Sequence, residues 1–372
     1  MKQLRPTCAV VDLEQLQKNL KCVRGLVPQS AMILAAVKGD AYGHGAVQCA
    51  EVLSAAGADW FGVALVEEGR TLRKAGIDKP ILCMGGAGPF GAAEALAHRL
   101  TPLISHIDEA RAIAAAAQSA GTTANVHIKV DTGMGRLGVP LHHWAHFLDR
   151  VADFPQLHIE GIASHLAFSE SPAGTVQTQE QIRRFEEAAH VAKARGVHAS
   201  ILHTANSGAI LQHPSSAFDM VRPGLLLYGY DPQQKDPRID VHPIMRVTTQ
   251  VLVVRDLPSG VALSYGGTFV TDRPTRVATL PVGYADGFPR ALSNKGEVLI
   301  HGARAPILGR VCMDMCIADV TDVPIDVHPG DEAVILGRQG AEIIDAWDMA
   351  KHANTIPYEI LTGFSERIPR TS

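Results

Sequence analysis

The chain has 372 residues, 46% hydrophobic and 19% charged, with a formal net charge of −4. That length suits one large domain with a smaller one beside it, and a chain of this size buries roughly three-quarters of its unfolded surface without disulfide staples. The mild charge, with no block of one sign, excludes a charge-driven nucleic-acid or membrane-surface partner, and no run reaches the ~18 apolar residues of a membrane span.

The opening stretch, MKQLRPTCAVVDLEQLQKNL, has no long apolar core, so no secretory leader is expected. A helix is predicted over Asp12–Val23: Leu13, Leu16, Leu20 and Val23 share a face, and Asp12 with Gln15 makes a variant capping box. Short apolar runs then read as strands at 33–37, 60–64, 81–84, 101–104, 126–130, 159–163, 200–203 and 219–222. Segments of helical spacing separate most of them; 108–120 and 178–195 are the plainest, and the helix after the seventh run must be short. This alternation predicts a parallel (β/α)8 TIM-type barrel. A doubly wound sheet usually stops at about five or six strands and carries an early glycine fingerprint. No GxGxxG follows the first run, and no P-loop occurs.

Past residue 240 the texture changes. Strand-like runs at 245–255, 276–281, 297–300, 316–320 and 333–336 are broken by Pro, Gly and Asp, and 345–354 is the only convincing helix. The expected architecture is α/β: a barrel over 1–240, then a mostly-β domain over 241–372. Six cysteines lie at 8, 22, 49, 83, 312 and 316. Cys312 and Cys316 have no second pair to make a zinc site, so no metal is expected, and reduced cysteines in a cytoplasmic protein are the plain reading.

In such barrels the reacting groups gather at the C-terminal ends of the strands. The first run ends in Lys38, followed by Tyr42 and His44. The fifth, VHIKV, contains Lys129 and leads into DTGMGRLG with Arg136. The sixth ends in SHLA with His165, the seventh in HTANSG with His203, Asn206 and Ser207, and the eighth in Arg222 before PGLLLYG. Each alone has a dull explanation as a solvated side chain, a turn or a cap. Together they make a cationic rim with no carboxylate pair for glycosidase chemistry and no ligand spacing for a metal. Such a rim suits an anion, and the turns after the last two strands are this fold's usual phosphate site. A phosphate beside one inward lysine suggests a Schiff base with pyridoxal phosphate.

At this point the motifs resemble the alanine racemases, a fold-type III pyridoxal-phosphate family. AVKGDAYGHG, VHIKVDTGMGRLG, HTANSGA, VRPGLLLYG, SYGGTF, PVGYADGFPR, GRVCMD and NTIPYEIL match in order over nearly the whole chain. The resemblance implies that Lys38 is the Schiff-base lysine and the acid/base on one face of the substrate's α-carbon. It implies that Tyr265, supplied by the partner subunit of a homodimer, is the acid/base on the other. Tyr265 would contact His165, and His165 would contact Arg222; positive charge passed along that chain would favour the phenolate. Arg222 would face the cofactor's ring nitrogen. Tyr42, Ser207, Gly224, Leu225 and Tyr358 would surround the phosphate, with Asn206 beside them. Arg136 would orient the substrate carboxylate, supported by Lys129 at the position where many members carry a carbamylated lysine. Met313 and Asp314 would border the substrate from the partner, and Tyr284, Arg290, Arg310 and Ile356 would line the passage into the site. Two departures stand out: Gly39–Asp40 replaces the commoner Ala–Asn, and the segment after Tyr358 lacks the frequent Cys–Arg step.

The expected activity is interconversion of L- and D-alanine by a two-base mechanism. A serine or broad-specificity racemase is the nearest rival, because pocket size discriminates only ~1–3 kcal/mol per methylene. A related decarboxylase would lack the SYGG tyrosine, and a pyridoxal-phosphate carrier protein would be a single barrel.

Overall fold

The apolar runs of the first half become parallel strands because they are buried on both faces, one against the barrel axis and one against helices. In chain order they are β1 (Met32–Ala36), β2 (Trp60–Val63), β3 (Ile81–Cys83), β4 (Thr101–Ile104), β5 (Ala124–Asp131), β6 (Leu157–Ala163), β7 (Ile201–His203) and β8 (Met220–Val221). They pair in the order β8-β1-β2-β3-β4-β5-β6-β7. Asp219 joins the two ends: its N–H donates to Leu202 O at 3.0 Å, and its own O accepts from the Met32 N–H at 2.8 Å. The computed structural model of the chain describes residues 5–232 and 239–372. The first four residues of the stretch read for a leader lie outside it.

The inside of the barrel is filled by one side chain from most strands: Leu34, Trp60, Leu82, Leu103, Ala163, Ile201 and Met220 form a single apolar layer. Between strands and helices lies a second core that includes Ile104, Ile113, Val126, Trp144, Phe147 and Phe185. The predicted helices stand at Leu13–Leu26, Ile107–Ser119 and Thr175–Ala194, and the one after β7 is indeed short, Ser207–Gln212.

The second compact unit is mostly strand. Ala303–Pro306, Glu297–Ile300, Glu332–Gln339 and Met245–Gln250 form one sheet. Val253–Leu257, Thr275–Leu280 and Cys316–Asp319 form another, and Ala262–Leu263 pairs with Phe269–Val270. Two expectations are corrected here. The run 245–255 is two strands in different sheets, broken at Val251–Leu252. A second helix, Pro357–Gly363, follows Ala346–Ala353; at seven residues with proline first, it is too short for periodicity to reveal. The two compact units each draw on more than one stretch of chain. Cys8–Val11 pairs antiparallel with Met245–Gln250 and parallel with Arg370–Thr371, so this early strand belongs to the C-terminal unit, as do Tyr42–Gly45. Among the described residues no helix is long and apolar enough to cross a membrane.

Candidate active site

Lys38 follows directly on β1, and the chain leaves it in an unusual way. Gly39, Asp40, Ala41, Tyr42 and Gly43 have φ of 62°, 54°, 54°, 54° and 84°, a run of left-handed helical turn. Three of the five are not glycine, and each such residue costs roughly 1–2 kcal/mol in that region. The turn is held from several sides. Ala41 N–H donates to Val37 O at 2.8 Å, Gly39 N–H to Glu68 Oε1 at 2.7 Å, and Ala46 N–H to Asp40 Oδ1 at 2.7 Å. Gly43 is required twice over: its φ is positive, and a Cβ there would lie 2.2 Å from Leu361 O. This is the tight path that AVKGDAYGHG predicts, and within the C-terminal unit it sets the Tyr42 ring 5.9 Å from that of Tyr358.

Within the barrel unit, Lys38, Lys129, Arg136, His165, His203 and Arg222 line one cavity of about 200 Å³, together with apolar side chains such as Leu82, Met84 and Leu103. Among the described residues no carboxylate lines it. Four basic side chains around so small a space depress one another's proton affinity. Burial, then Arg136 and Arg222, lowers the Lys38 amine from its ordinary value. Burial, then the same two guanidiniums in reverse order, brings Lys129 down to about 8. The Lys129 Nζ donates to Leu137 O at 2.7 Å.

Arg222 organises the floor of the cavity. Its Nη1 donates to His203 Nδ1 at 2.7 Å, and its Nη2 to Ser164 O at 2.8 Å, Thr204 O at 3.0 Å and His165 Nδ1 at 3.3 Å. A guanidinium only donates, so both imidazoles accept at Nδ1 and carry their proton on Nε2. Burial followed by Arg222 pushes both histidines well below their usual range, so both are neutral at pH 7. Burial also draws the Arg222 guanidinium down to about 10, which still leaves it charged.

Where β7 and β8 end, the Ser207 Oγ accepts from the Gly224 N–H at 3.0 Å and the Leu226 N–H at 3.4 Å, joining Ser207, Gly224 and the turn Leu225–Tyr228 into one cluster. Asn206 is a positioning residue beside it. Its Oδ1 caps the helix at Ala209 N–H (3.0 Å) and accepts from Ser169 Oγ, while its Nδ2 donates to Leu166 O.

The remaining candidates belong to the C-terminal unit. Tyr265 opens a short turn after Ser264, whose φ is 61°, and is 75% exposed. It borders a hollow of about 560 Å³ lined also by Ser264, Cys312 and Met315. Met313 and Tyr284 are exposed and brought together: Tyr284 N–H donates to Cys312 O, and Ala285 N–H to Met313 O, both at 3.0 Å. Ile356 is exposed; Arg290 opens the turn Arg290–Leu292; Arg310 O accepts from Ser264 Oγ at 2.6 Å. Asp314 accepts from Arg367 Nη2 at 2.8 Å, so the unusual C-terminal segment reaches back to GRVCMD. Sequence reasoning missed Arg367, and it also missed His127, whose ring packs under His203.

Two family descriptions match the chain: "Alanine racemase, N-terminal domain" over residues 11–232 and "Alanine racemase, C-terminal domain" over 244–372. The alanine racemase of Syntrophobacter fumaroxidans is 43% identical over 352 residues, 94% of this chain and 93% of that protein. Among solved structures, the alanine racemase of D-cycloserine-producing Streptomyces lavendulae superposes with a TM-score of 0.94 at 34% identity, covering 100% of this chain and 97% of that one. The Bartonella henselae alanine racemase, solved with covalently bound pyridoxal phosphate, does so at 0.89 and 32%, covering 98% and 99%.

Proposed function

The chain belongs to the alanine racemase family, and on that premise we propose that it interconverts L- and D-alanine with pyridoxal phosphate bound at Lys38. The observation that carries this reading is the cavity itself: a depressed primary amine among three other basic side chains, with no lining carboxylate. That donor set fits the cofactor, an anionic aldehyde. Its phosphate would be held by Ser207 and the backbone at Gly224 and Leu225, with Tyr42 and Tyr358 beside it and Asn206 fixing the helix start.

When bound, the cofactor withdraws electrons from the substrate's α-carbon and acidifies its hydrogen. The chain's residues then govern where that proton goes. Lys38 Nζ takes or returns it on one face, Tyr265 Oη of a second copy on the other; one base alone would return its proton to the side it left. A phenol is a poor base at neutral pH unless its phenolate is stabilised. His165 offers help, because Arg222 holds its Nδ1 and leaves an N–H at Nε2 to support a phenolate. Arg222, a donor only, would keep the cofactor's ring nitrogen unprotonated and moderate electron withdrawal, disfavouring side reactions such as transamination. Arg136 would orient the substrate carboxylate. Lys129, largely uncharged at pH above about 8, is suited to carbamylation, which would give Arg136 an anionic partner.

The active unit is read as a cytoplasmic homodimer. Each barrel binds cofactor, and each C-terminal domain lends Tyr265, Met313 and Tyr284 to its neighbour. The test is to incubate the holoenzyme with L-alanine in deuterium oxide and follow optical rotation and α-hydrogen exchange together. Loss of rotation with deuterium entering the α-position of the product is expected. Carbon dioxide release without rotation loss would transfer the chain to the decarboxylases, and faster turnover of L-serine than of L-alanine would make it a serine racemase.

A further inference from the structure

One polar feature lies inside the barrel and is used by nothing above. His127 on β5 is fully buried beneath the cavity, its ring 5.4 Å from Trp60 and 4.9 Å from His203. Its Nδ1 lies 2.8 Å from His203 Nε2. On its far side, Nε2 faces Glu160 Oε2 at 3.8 Å. Both of those atoms are buried and neither has a hydrogen-bond partner, the 3.8 Å between them being longer than a hydrogen bond.

While both imidazole contacts hold, the direction of this chain follows from its Arg222 end. The guanidinium donates to His203 Nδ1, so the His203 proton sits on Nε2. Nε2 must then donate to His127 Nδ1, which places the His127 proton on its Nε2, aimed at a carboxylate that can only accept. The reverse order would need an arginine acceptor, which does not exist. Among the described residues no carboxylate touches the buried Arg222. The negative end of the chain reaches it through two aligned, neutral imidazoles.

Two features of β6 build this arrangement. Its register with β5 slips between Val126 and His127: Val126 pairs with Ile159 and His127 with Gly161, so Glu160 is the extra residue of a β-bulge. Bulges re-aim side chains and recur next to active sites. The next residue, Gly161, clears the space: a Cβ there would lie 2.5 Å from His127 Nδ1.

We propose that Glu160 and His127 are positioning residues for Arg222, acting through His203: the Glu160 carboxylate, facing His127 Nε2, favours the Nε2–H tautomer of both imidazoles, the form in which the second presents its lone pair to the guanidinium. The catalytic meaning of this lock rests on the role given to Arg222 above; the tautomers themselves do not. The test is the nitrogen-15 spectrum of histidine-labelled holoenzyme without substrate. In the parent protein, His127 and His203 should each show a protonated Nε2 and a bare Nδ1. Glu160→Ala should give mixed tautomers at both rings, a shifted absorption band of the bound cofactor, and kcat at least tenfold lower with less than a twofold change in KM for alanine. Glu160→Gln, whose carbonyl can accept from Nε2–H, should restore tautomer and rate to within about threefold. Should Glu160→Ala not fold, Gly161→Ala must displace the His127 ring and give the same mixed spectrum. A protonated Nδ1 or an imidazolium at either ring of the parent protein overturns the proposal, as does a Glu160→Ala protein with parental tautomers and kcat. Correct tautomers in a protein that racemises nothing would sink the function and leave the relay standing.

Discussion

Arg222 Nη2 lies 3.3 Å from His165 Nδ1, and because arginine can only donate, this contact decides which nitrogen of His165 carries its proton. The same guanidinium is 8% exposed and meets carbonyl oxygens and imidazole nitrogens rather than a carboxylate. A cation so placed makes the cavity a poor home for a protonated ring and a good one for an anion. Replacing Arg222 with Glu reverses both properties. Racemisation should fall by at least about tenfold, equivalent to 1.36 kcal/mol or more, while conversion of the cofactor to its aminated form on alanine should become measurable. Unchanged racemisation without that side reaction would contradict the role given to Arg222.

The left-handed turn after Lys38 has a sharp sterical requirement at Gly43. Alanine there meets a backbone oxygen at 2.2 Å in a residue whose φ is already 84°. Helix Pro357–Gly363 must move or the turn must open. Gly43→Ala should lose at least about 2 kcal/mol of stability, read by thermal or urea unfolding, and should weaken cofactor retention because Tyr42 shares the turn. Gly25→Ala, in a helix and with nothing within 4 Å of the new Cβ, is the control and should weaken neither.

The lysines of the cavity predict a pH response in the cofactor-free protein. Lys129 has a folded pKa of about 8 against 10.5 when exposed. Between those values the unfolded chain binds the proton that the folded chain has released, so stability rises with pH across that window and flattens above it. Lys129→Met should reduce that rise, leaving the part that Lys38 contributes. The same protein tests carbamylation: in bicarbonate, intact-mass analysis should show one added carboxyl group on the parent and none on the variant.

The exposed Tyr265 and Met313 predict shared sites. Lys38→Ala and Tyr265→Ala proteins should each be inactive on their own. Mixed and allowed to exchange subunits, half the dimers are hybrids and each hybrid has one intact site, so about one quarter of parental activity should return. No recovery after verified exchange would place both bases in one chain.

Much of this is legible in the amino-acid sequence. The barrel strands could be read because runs buried on both faces stay apolar throughout, and the cavity-lining Lys38, Arg136, His165 and Arg222 because strand ends point to one mouth; Lys129 is singled out only by the family motif. Cys8–Val11 could not be placed, since a four-residue strand carries no sign of which sheet will receive it and its partners lie more than 230 residues away. The handedness after Lys38 was hidden behind Asp40, Ala41 and Tyr42, residues that normally avoid positive φ. Glu160 was invisible for a similar reason: a bulge changes register without changing composition, and Glu-Gly in a strand reads as a surface position.

The central claim is that one particular amine holds the cofactor. Reducing the holoenzyme with borohydride makes that bond permanent, and peptide mass mapping then locates it. A pyridoxyl phosphate group on Lys38 alone, absent from the Lys38→Ala protein, is the predicted result; the group on Lys129 or any other lysine, or no group at all, would contradict the account.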